Sequence, residues 1–287
     1  TLQFVNGDIR DSNTLINIMK NFKPDAVLHF AGLKAVNESV ADPIKYYDIN
    51  VRGTVELLAA MKLSDCFKII FSSSATVYGN ASYLPFDELH RLNPTNPYGR
   101  TKLMIEKILE DWVYSSYQNH AVCLRYFNPI GAHISGFIGE DPANTPNNLM
   151  PYISQVVAGQ RAYLSIFGDD YPTRDGTGER DYIHVCDLAL GHLRAVEKIS
   201  ALDRFQVLNL GTGIGTTVQE LVDVFQMVSG RTIPIKIAPR RPGDVAQSWA
   251  DPSSANALLD IKFVKTIQEM CADTWRWQNK NPNGYKH

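Results

Sequence analysis

Cysteine is scarce in this chain: the four, Cys66, Cys123, Cys186 and Cys271, are spread over 287 residues with no paired spacing. That excludes a zinc-ribbon pattern and a disulfide framework, and the four read as reduced core or surface thiols. Net charge is nearly absent too, with 28 Lys and Arg against 30 Asp and Glu, or −2 at pH 7. No global positive field exists to gather nucleic acid or an anionic membrane, so an anionic ligand has to be met locally. No apolar run approaches the roughly 18 residues of a membrane helix. Residues 1–8 carry no basic-then-apolar leader pattern, so cytoplasm is the expected compartment. Internal repeats and low-complexity tracts are missing, and the first residue is Thr1 rather than Met, directly in a strand-like run. What remains is ordinary globular composition, 44% hydrophobic and 20% charged, which argues for a folded chain over a disordered or fibrous one. At about 100–200 residues per domain, the length fits two domains or one with an added lobe.

Hydrophobic periodicity organises the first half. Residues 2–5 read as a strand. Asp11 is placed to cap a helix whose Leu15, Ile18, Met19 and Phe22 recur at helical spacing. Residues 25–30 read as a strand, 43–61 as a helix with Tyr47, Val51, Val55 and Leu58 on one face, and 68–72 as a short buried strand. A helix from Tyr98 to about Tyr117 turns Ile105, Ile108, Leu109 and Trp112 inward, and 121–126 is strand again. Strands separated by helices of this length imply crossovers and a parallel sheet covered on both faces, a doubly wound α/β fold. Beyond Asn128 the texture changes to loops rich in Gly, Pro, Asp and Asn. There a strand at 207–210, a helix at 218–228 and a strand at 233–237 make a smaller α+β lobe. The helix is opened by the capping box Thr217-Val-Gln-Glu220 and closed by Gly230.

Tyr98-Gly-Arg-Thr-Lys102 is the strongest local chemical signal. Four helical residues advance about 400°, so Tyr98 and Lys102 share a face one turn apart. A phenol with an ordinary pKa of about 10 is a poor base at neutral pH, and an adjacent ammonium stabilises its phenolate. Some twenty residues upstream, Phe71-Ser-Ser-Ser-Ala-Thr-Val-Tyr-Gly79 follows a buried strand, which puts hydroxyls at the sheet's carboxyl edge. Ser74 is then placed to hydrogen-bond a substrate hydroxyl in line with Tyr98.

This combination resembles the extended short-chain dehydrogenase/reductase family and, within it, the UDP-glucose 4-epimerases. The strings that carry the likeness are His29-Phe-Ala-Gly-Leu-Lys34, Ser72 to Gly79, Arg125-Tyr-Phe-Asn128, Pro146-Asn-Asn-Leu149 and Gly178-Glu-Arg-Asp-Tyr-Ile-His184. The resemblance implies Tyr98 as acid/base, Lys102 as its electrostatic partner and nicotinamide-ribose ligand, and Ser74 as the bridging hydroxyl. It implies NAD as cofactor, with Asp8 and Ile9 at the adenine, Phe30, Ala31, Gly32, Lys34 and Asn50 along the pyrophosphate and ribose, and Tyr126 near the nicotinamide. Uridine diphosphate falls to Asn128, Asn148, Leu149, Phe167, Arg180, Tyr182, Arg241 and Asp244. Arginine suits phosphate because its planar fork makes paired, charge-assisted bonds. Ser248, four residues after Asp244, is expected beside the sugar's 2-substituent, where a small residue leaves room for an acetamido group and UDP-N-acetylated sugars. The expected reaction is 4-epimerisation of UDP-glucose and UDP-galactose through a transient 4-keto sugar, with no metal.

On this reading residues 1–128 form the NAD-binding domain and 129–287 the UDP-sugar lobe, some of whose segments pack back on the first domain. A homodimer is expected, with Leu103, Met104 and Val113 of the Tyr98 helix as contributors. The family begins with a strand, a Gly-rich loop and a helix, and no such loop lies ahead of Asp8, so the expectation is a chain lacking its first segment. Leu210-Gly-Thr-Gly-Ile-Gly215 does not replace it, because its glycine spacing is wrong and no ribose-binding acid follows about twenty residues on. It reads as a turn in the second lobe. The alternatives are a related NAD-dependent sugar-nucleotide epimerase or dehydratase, and a catalytically silent truncated binding protein. For a dehydratase, the acidic pair expected after the active serine is Ala75 and Thr76 here.

Overall fold

The computed structural model describes residues 2–142, 146, 148–241 and 244–285. The helix expected after Asp11 is α1 (Ser12–Phe22), whose start is closed by the Asp11 carboxylate accepting from the N–H groups of Asn13 and Thr14. Strand β1 (Val27–His29) follows, then α2 (Val36–Ala41), α3 (Pro43–Tyr46), a π-helical turn over Tyr47–Arg52 and α4 (Gly53–Lys62). The single helix expected over 43–61 is therefore helical throughout but has a widened turn in its middle. Next come β2 (Lys68–Ser72), a 3-10 turn at Ala75–Val77, α5 (Pro97–Ser115) and β3 (His120–Tyr126). Residues 2–5 are not a strand: Leu2 and Phe4 are 95% and 88% exposed, and the segment joins no ladder among the described residues. Apolar alternation makes a strand only where a neighbour supplies cross-strand bonds and packing.

The remaining elements are β4 (Asn128–Ile130), α6 (Leu149–Val157), β5 (Leu164–Phe167), β6 (Glu179–His184), α7 (Val185–Lys198) and β7 (Phe205–Leu210). After them come β8 (Gly215–Thr217), α8 (Val218–Ser229), β9 (Ile235–Ala238), β10 (Gln247–Ser248), α9 (Ser253–Leu259) and α10 (Ile267–Lys280). The chain divides into two compact units: residues 1–80, 90–125 and 192–208 form unit 1, and residues 81–89, 126–191 and 209–287 form unit 2.

Unit 1 is built on a sheet of order β1-β2-β3-β7, in which β2 pairs in parallel with both β1 and β3. Parallel neighbours need long crossovers, which α4 and α5 supply. Their apolar faces meet β2 and β3 in a core that includes Leu57, Met61, Ile69, Phe71, Ile105, Leu109 and Ala121. Each fully buried Leu or Phe contributes about 1.5–3 kcal/mol. Val113, expected at a surface of α5, is fully buried in this core; its position eight residues after Ile105 keeps it on the inward face.

Unit 2 centres on β6, which pairs in parallel with β4 and β10 and antiparallel with β8. A separate parallel pair joins β5 to β9. Helices α6, α8 and α10 share a core that includes Ile153, Leu221, Phe225, Met270 and Cys271. The capping box at Thr217 and Glu220 is formed in both directions, and Gly230 ends α8 at φ +66°, a backbone that costs glycine nothing. No helix among the described residues is long and apolar enough to cross a membrane.

Candidate active site

In unit 1 the polypeptide leaves β2 through three serines. Ser74 Oγ caps the 3-10 turn, accepting from Thr76 N at 3.2 Å and from Thr76 Oγ1 at 3.0 Å. Asn96 caps α5 by accepting from Gly99 N at 2.9 Å. A Cβ at position 99 would stand 2.8 Å from the Thr76 carbonyl oxygen, so glycine lets the first turn of α5 lie against the serine turn. Tyr98 occupies that first turn, half-buried, and Lys102 follows one turn later, buried.

Lys102 Nζ donates to the Ser72 carbonyl at 2.7 Å, and sits 4.8 Å from the Phe71 ring centroid and 5.8 Å from that of Tyr98. Burial pushes its pKa down to about 8, while the Glu106 carboxylate pulls it back up. Glu106, a further turn along α5, accepts from Ser73 Oγ at 2.5 Å and from Arg125 Nε and Nη2 at 2.9 and 2.6 Å. Arg125 also donates to the Tyr78 hydroxyl at 3.2 Å. Helix α5 thus grips the exit of β2 on two successive rungs, Lys102 on the Ser72 carbonyl and Glu106 on the Ser73 hydroxyl. The chemistry available is a phenol beside a cation whose position and charge are set by buried partners.

The exit of β1 carries the residues assigned to a dinucleotide. Phe30, Ala31, Gly32 and Lys34 are exposed there, and the Phe30 ring lies 4.9 Å from that of His192. Asn50, from the π-helical turn, fixes this loop. Its Oδ1 accepts from Leu33 N at 2.8 Å, and its Nδ2 donates to the Leu33 carbonyl at 3.0 Å and to Thr101 Oγ1 at 3.1 Å. Asp8 accepts from Arg10 N and Nε, each at 2.9 Å, and these bonds hold its carboxyl well below the usual carboxylate range. Ile9 packs where a Cβ on Gly53 would stand, at the start of α4. An exposed turn at the carboxyl end of a parallel strand, braced from behind by a buried amide and provided with Lys34 and Lys102, is a donor set that fits the ribose and phosphates of a dinucleotide.

In unit 2, three assigned residues come together: the Arg241 guanidinium stacks 4.6 Å from the Phe167 ring centroid, and its Nε donates to Asp244 at 3.0 Å. Arg180 donates to the Glu179 and Ala246 carbonyls, at 2.9 and 3.3 Å. Ser248 stands opposite Arg180 in the β10–β6 register, and Asn128 stands opposite Tyr182 in the β4–β6 register. The Asn128 amide donates to the Asp181 carbonyl at 3.2 Å. Tyr182 is buried in the unit 2 core, and burial pushes its hydroxyl up to about 12. Asn148, at the start of α6, donates to Glu140 at 3.2 Å, and Leu149 opens the helix against the core. Tyr126 ends β3. Asn147, which belongs to the Pro146 to Leu149 string, lies outside the described residues.

Sequence reasoning missed Glu106, Ser73 and Asp181. Glu106 had a readable signal, four residues after Lys102 on a helix. Asp181 stands in the Gly178 to His184 string between Arg180 and Tyr182, but the partners of its carboxylate come from distant parts of the chain. Among the described residues no group of three or more His, Cys, Asp or Glu side chains is arranged to hold a metal ion.

A family profile described as GDP-mannose 4,6 dehydratase matches residues 1–274. The UDP-glucose 4-epimerase of Bacillus subtilis is 52% identical over 285 residues, covering 99% of this chain and 84% of that protein. The human UDP-glucose 4-epimerase is 49% identical over 286 residues, covering 99% of this chain and 82% of that protein. The crystal structure of UDP-glucose 4-epimerase from Bifidobacterium longum, in complex with NAD+ and UDP, superposes with a TM-score of 0.94 at 48% identity. It covers 98% of this chain and 84% of that one. With that degree of likeness over nearly its whole length, the chain belongs to the UDP-glucose 4-epimerase family of extended short-chain dehydrogenase/reductases.

Proposed function

We propose that this protein interconverts UDP-glucose and UDP-galactose at carbon 4, through a transient 4-keto sugar, with NAD as cofactor. The observation that carries the reading is the catalytic arrangement of unit 1: a half-buried phenol on the first turn of α5, a buried ammonium one turn on, and a capped serine turn packed against them. When bound, NAD supplies the acceptor and donor of the hydride at C4. Phe30, Ala31, Gly32, Lys34 and Asn50 would line its pyrophosphate and ribose, Lys102 would hold its nicotinamide ribose, Asp8 and Ile9 would flank its adenine, and Tyr126 would stand near its nicotinamide. Tyr98 takes the proton of the sugar's 4-hydroxyl and later returns it. Lys102 stabilises the phenolate, an ammonium beside the ring favouring the charged form. Ser74 orients the hydroxyl. Asn128, Asn148, Leu149, Phe167, Arg180, Tyr182, Arg241 and Asp244 anchor the uridine diphosphate and retain the oxidised sugar until it is reduced.

Dehydration fits less well, because Ala75 and Thr76 offer no acid and base after Ser74. The substrate range extends to the UDP-N-acetylhexosamines, since Ser248 occupies the position beside the 2-substituent and a serine leaves the volume that a tyrosine ring would fill. The protein acts as a homodimer, a reading supported by exposed Val55 on α4 and by Met104 and Tyr114 on α5. It acts in the cytoplasm, a reading supported by its free cysteines.

Conversion of UDP-galactose to UDP-glucose, followed by proton NMR on the protein as its cell makes it, tests the activity; a mixture unchanged after prolonged incubation would refute it. Ser248→Tyr is expected to abolish turnover of the N-acetylated pair while sparing UDP-galactose, and equal loss of both would count against the gate. Sedimentation equilibrium reads the dimer.

A further inference from the structure

We infer that Asp181 is the positioning residue for the uridine-diphosphate side of the site, its carboxylate filling the glycine-rich loop that follows β7. The inference rests on the functional reading above, which places Asn128, Arg180, Tyr182 and Ser248 around the nucleotide sugar.

The loop Leu210-Gly-Thr-Gly-Ile-Gly215 has the look of a phosphate cradle: a strand before it, glycines in it and a helix soon after. In the folded chain the cradle is occupied by an anion of the chain itself. Asp181 is fully buried in the middle of β6. Its Oδ1 accepts from Thr212 N at 2.8 Å and Thr212 Oγ1 at 2.6 Å, and its Oδ2 accepts from Gly213 N at 2.9 Å and Ala250 N at 3.1 Å. The glycines serve this arrangement. A Cβ on Gly211 would come within 2.5 Å of Asp181 Oδ2, and Gly213 holds φ +77°, which turns its N–H toward the carboxylate. Burying a carboxylate is costly unless its oxygens are hydrogen-bonded, and four donors from two separated segments satisfy both of them. Burial pushes the carboxyl above its ordinary range, and the four bonds pull it part of the way back.

Four of the assigned binding groups, Asn128, Arg180, Tyr182 and Ser248, lie close to this hub along β6 and its neighbours. The carbonyl of Asp181 accepts the Asn128 amide. Its sequence neighbours are Arg180 and Tyr182, whose register partners are Ser248 and Asn128. Ala250, bound by the carboxylate, follows Ser248 by two residues and makes the bridge to Phe86. Removing the carboxylate frees the 211–213 turn and the segment carrying Ser248 together, while leaving every proposed ligand side chain chemically intact. The effect therefore falls on nucleotide affinity and not on the proton chemistry of unit 1.

Two variants test this, Asp181→Asn and Thr212→Val, read by calorimetric titration with UDP, by the KM and kcat of UDP-galactose turnover, and by thermal unfolding. Asparagine turns one acceptor oxygen into an amide that faces N–H donors. It is expected to weaken UDP binding about tenfold or more and to raise KM in step, with kcat within about threefold of the parent. Thr212→Val removes one of the four donors to the carboxylate, along with the acceptor of the exposed Ile214 N–H, and is expected to weaken UDP binding about threefold. A folded Asp181→Asn protein with UDP affinity within twofold of the parent, or one that loses kcat at unchanged affinity, overturns the inference. If Asp181→Asn does not fold, Thr212→Val decides, and unchanged UDP affinity there overturns it. Failure of the parent itself to bind UDP would refute the functional reading instead, and is seen before any variant is compared.

Discussion

The groups assigned to chemistry in unit 1 are few, with Lys102 and Ser74 buried at 6% and 8% exposure and Tyr98 half-buried, whereas those assigned to the nucleotide in unit 2 are many and mostly half-exposed or exposed. A buried cation takes its charge and position from its neighbours, so the Ser72 carbonyl, Glu106 and the Phe71 ring decide what Lys102 can do. Exposed groups such as Arg241 are held by replaceable partners, here Asp244 and the face of Phe167, and each carries a modest share of binding. The difference separates rate from affinity: substitutions in the first set should move kcat and those in the second Kd.

The sharpest attempt to break that separation is Tyr98→Phe. Deleting only the phenolic oxygen should lower turnover by about 10²–10⁴-fold while leaving the Kd for UDP within threefold. A variant that lost nucleotide binding as well would show that the separation fails. Glu106→Gln comes next. Lys102 is faced by Phe71 and the Ser72 carbonyl from β2, by Tyr98 and Glu106 from its own helix and by His29 from β1, with Arg125 of β3 bound to Glu106. Removing the carboxylate disfavours the ammonium, so the pKa of Lys102 falls further below its present value of about 8. The alkaline limb of the rate profile should move to lower pH, with activity at pH 8 down about fivefold for the first unit moved and about tenfold for each further one. Glu106→Asp should keep the limb in place. The amide also leaves Arg125 without its buried counter-ion, at a cost in stability of about 3 kcal/mol, readable by urea denaturation.

Arg241→Met sharpens the other side. Losing a charge-assisted contact should weaken UDP about tenfold by calorimetry and leave kcat unchanged. The smallest effect belongs to Thr266→Ala, which opens the capping box of α10. It should cost about 1 kcal/mol of stability in a thermal melt and alter neither kcat nor the UDP Kd.

Local chemistry explains which parts of this molecule were legible in the sequence. Asp11, the Thr217 and Glu220 box and Gly230 announce helix ends because caps act within four residues, and β2 was readable because a buried parallel strand is an unbroken apolar run. The Tyr98 and Lys102 pair was readable because helical geometry fixes its spacing. Helices α6, α7 and α10 escaped because their apolar stripes are interrupted by polar or charged residues that tertiary partners satisfy. Asp273 of α10, for example, is bound by His184 at 3.2 Å. Residues 2–5 misled because apolar character does not reveal whether a neighbouring strand is present. The group that fills the glycine-rich loop is invisible in the sequence, since Asp181 and Ala250 meet only in three dimensions.

The measurement that tests the account most directly is the fate of hydrogen at carbon 4. With UDP-galactose deuterated at C4 as substrate in ordinary water, and the protein as its cell makes it, mass spectrometry and NMR of the product should find UDP-glucose that keeps the deuterium at C4, now on the opposite face. In the proposed mechanism the label leaves and returns as hydride, with Tyr98 handling only the hydroxyl proton. Deuterium lost to solvent during epimerisation would mean that carbon 4 is inverted by proton exchange, and would contradict the roles assigned to Tyr98, Lys102 and NAD together.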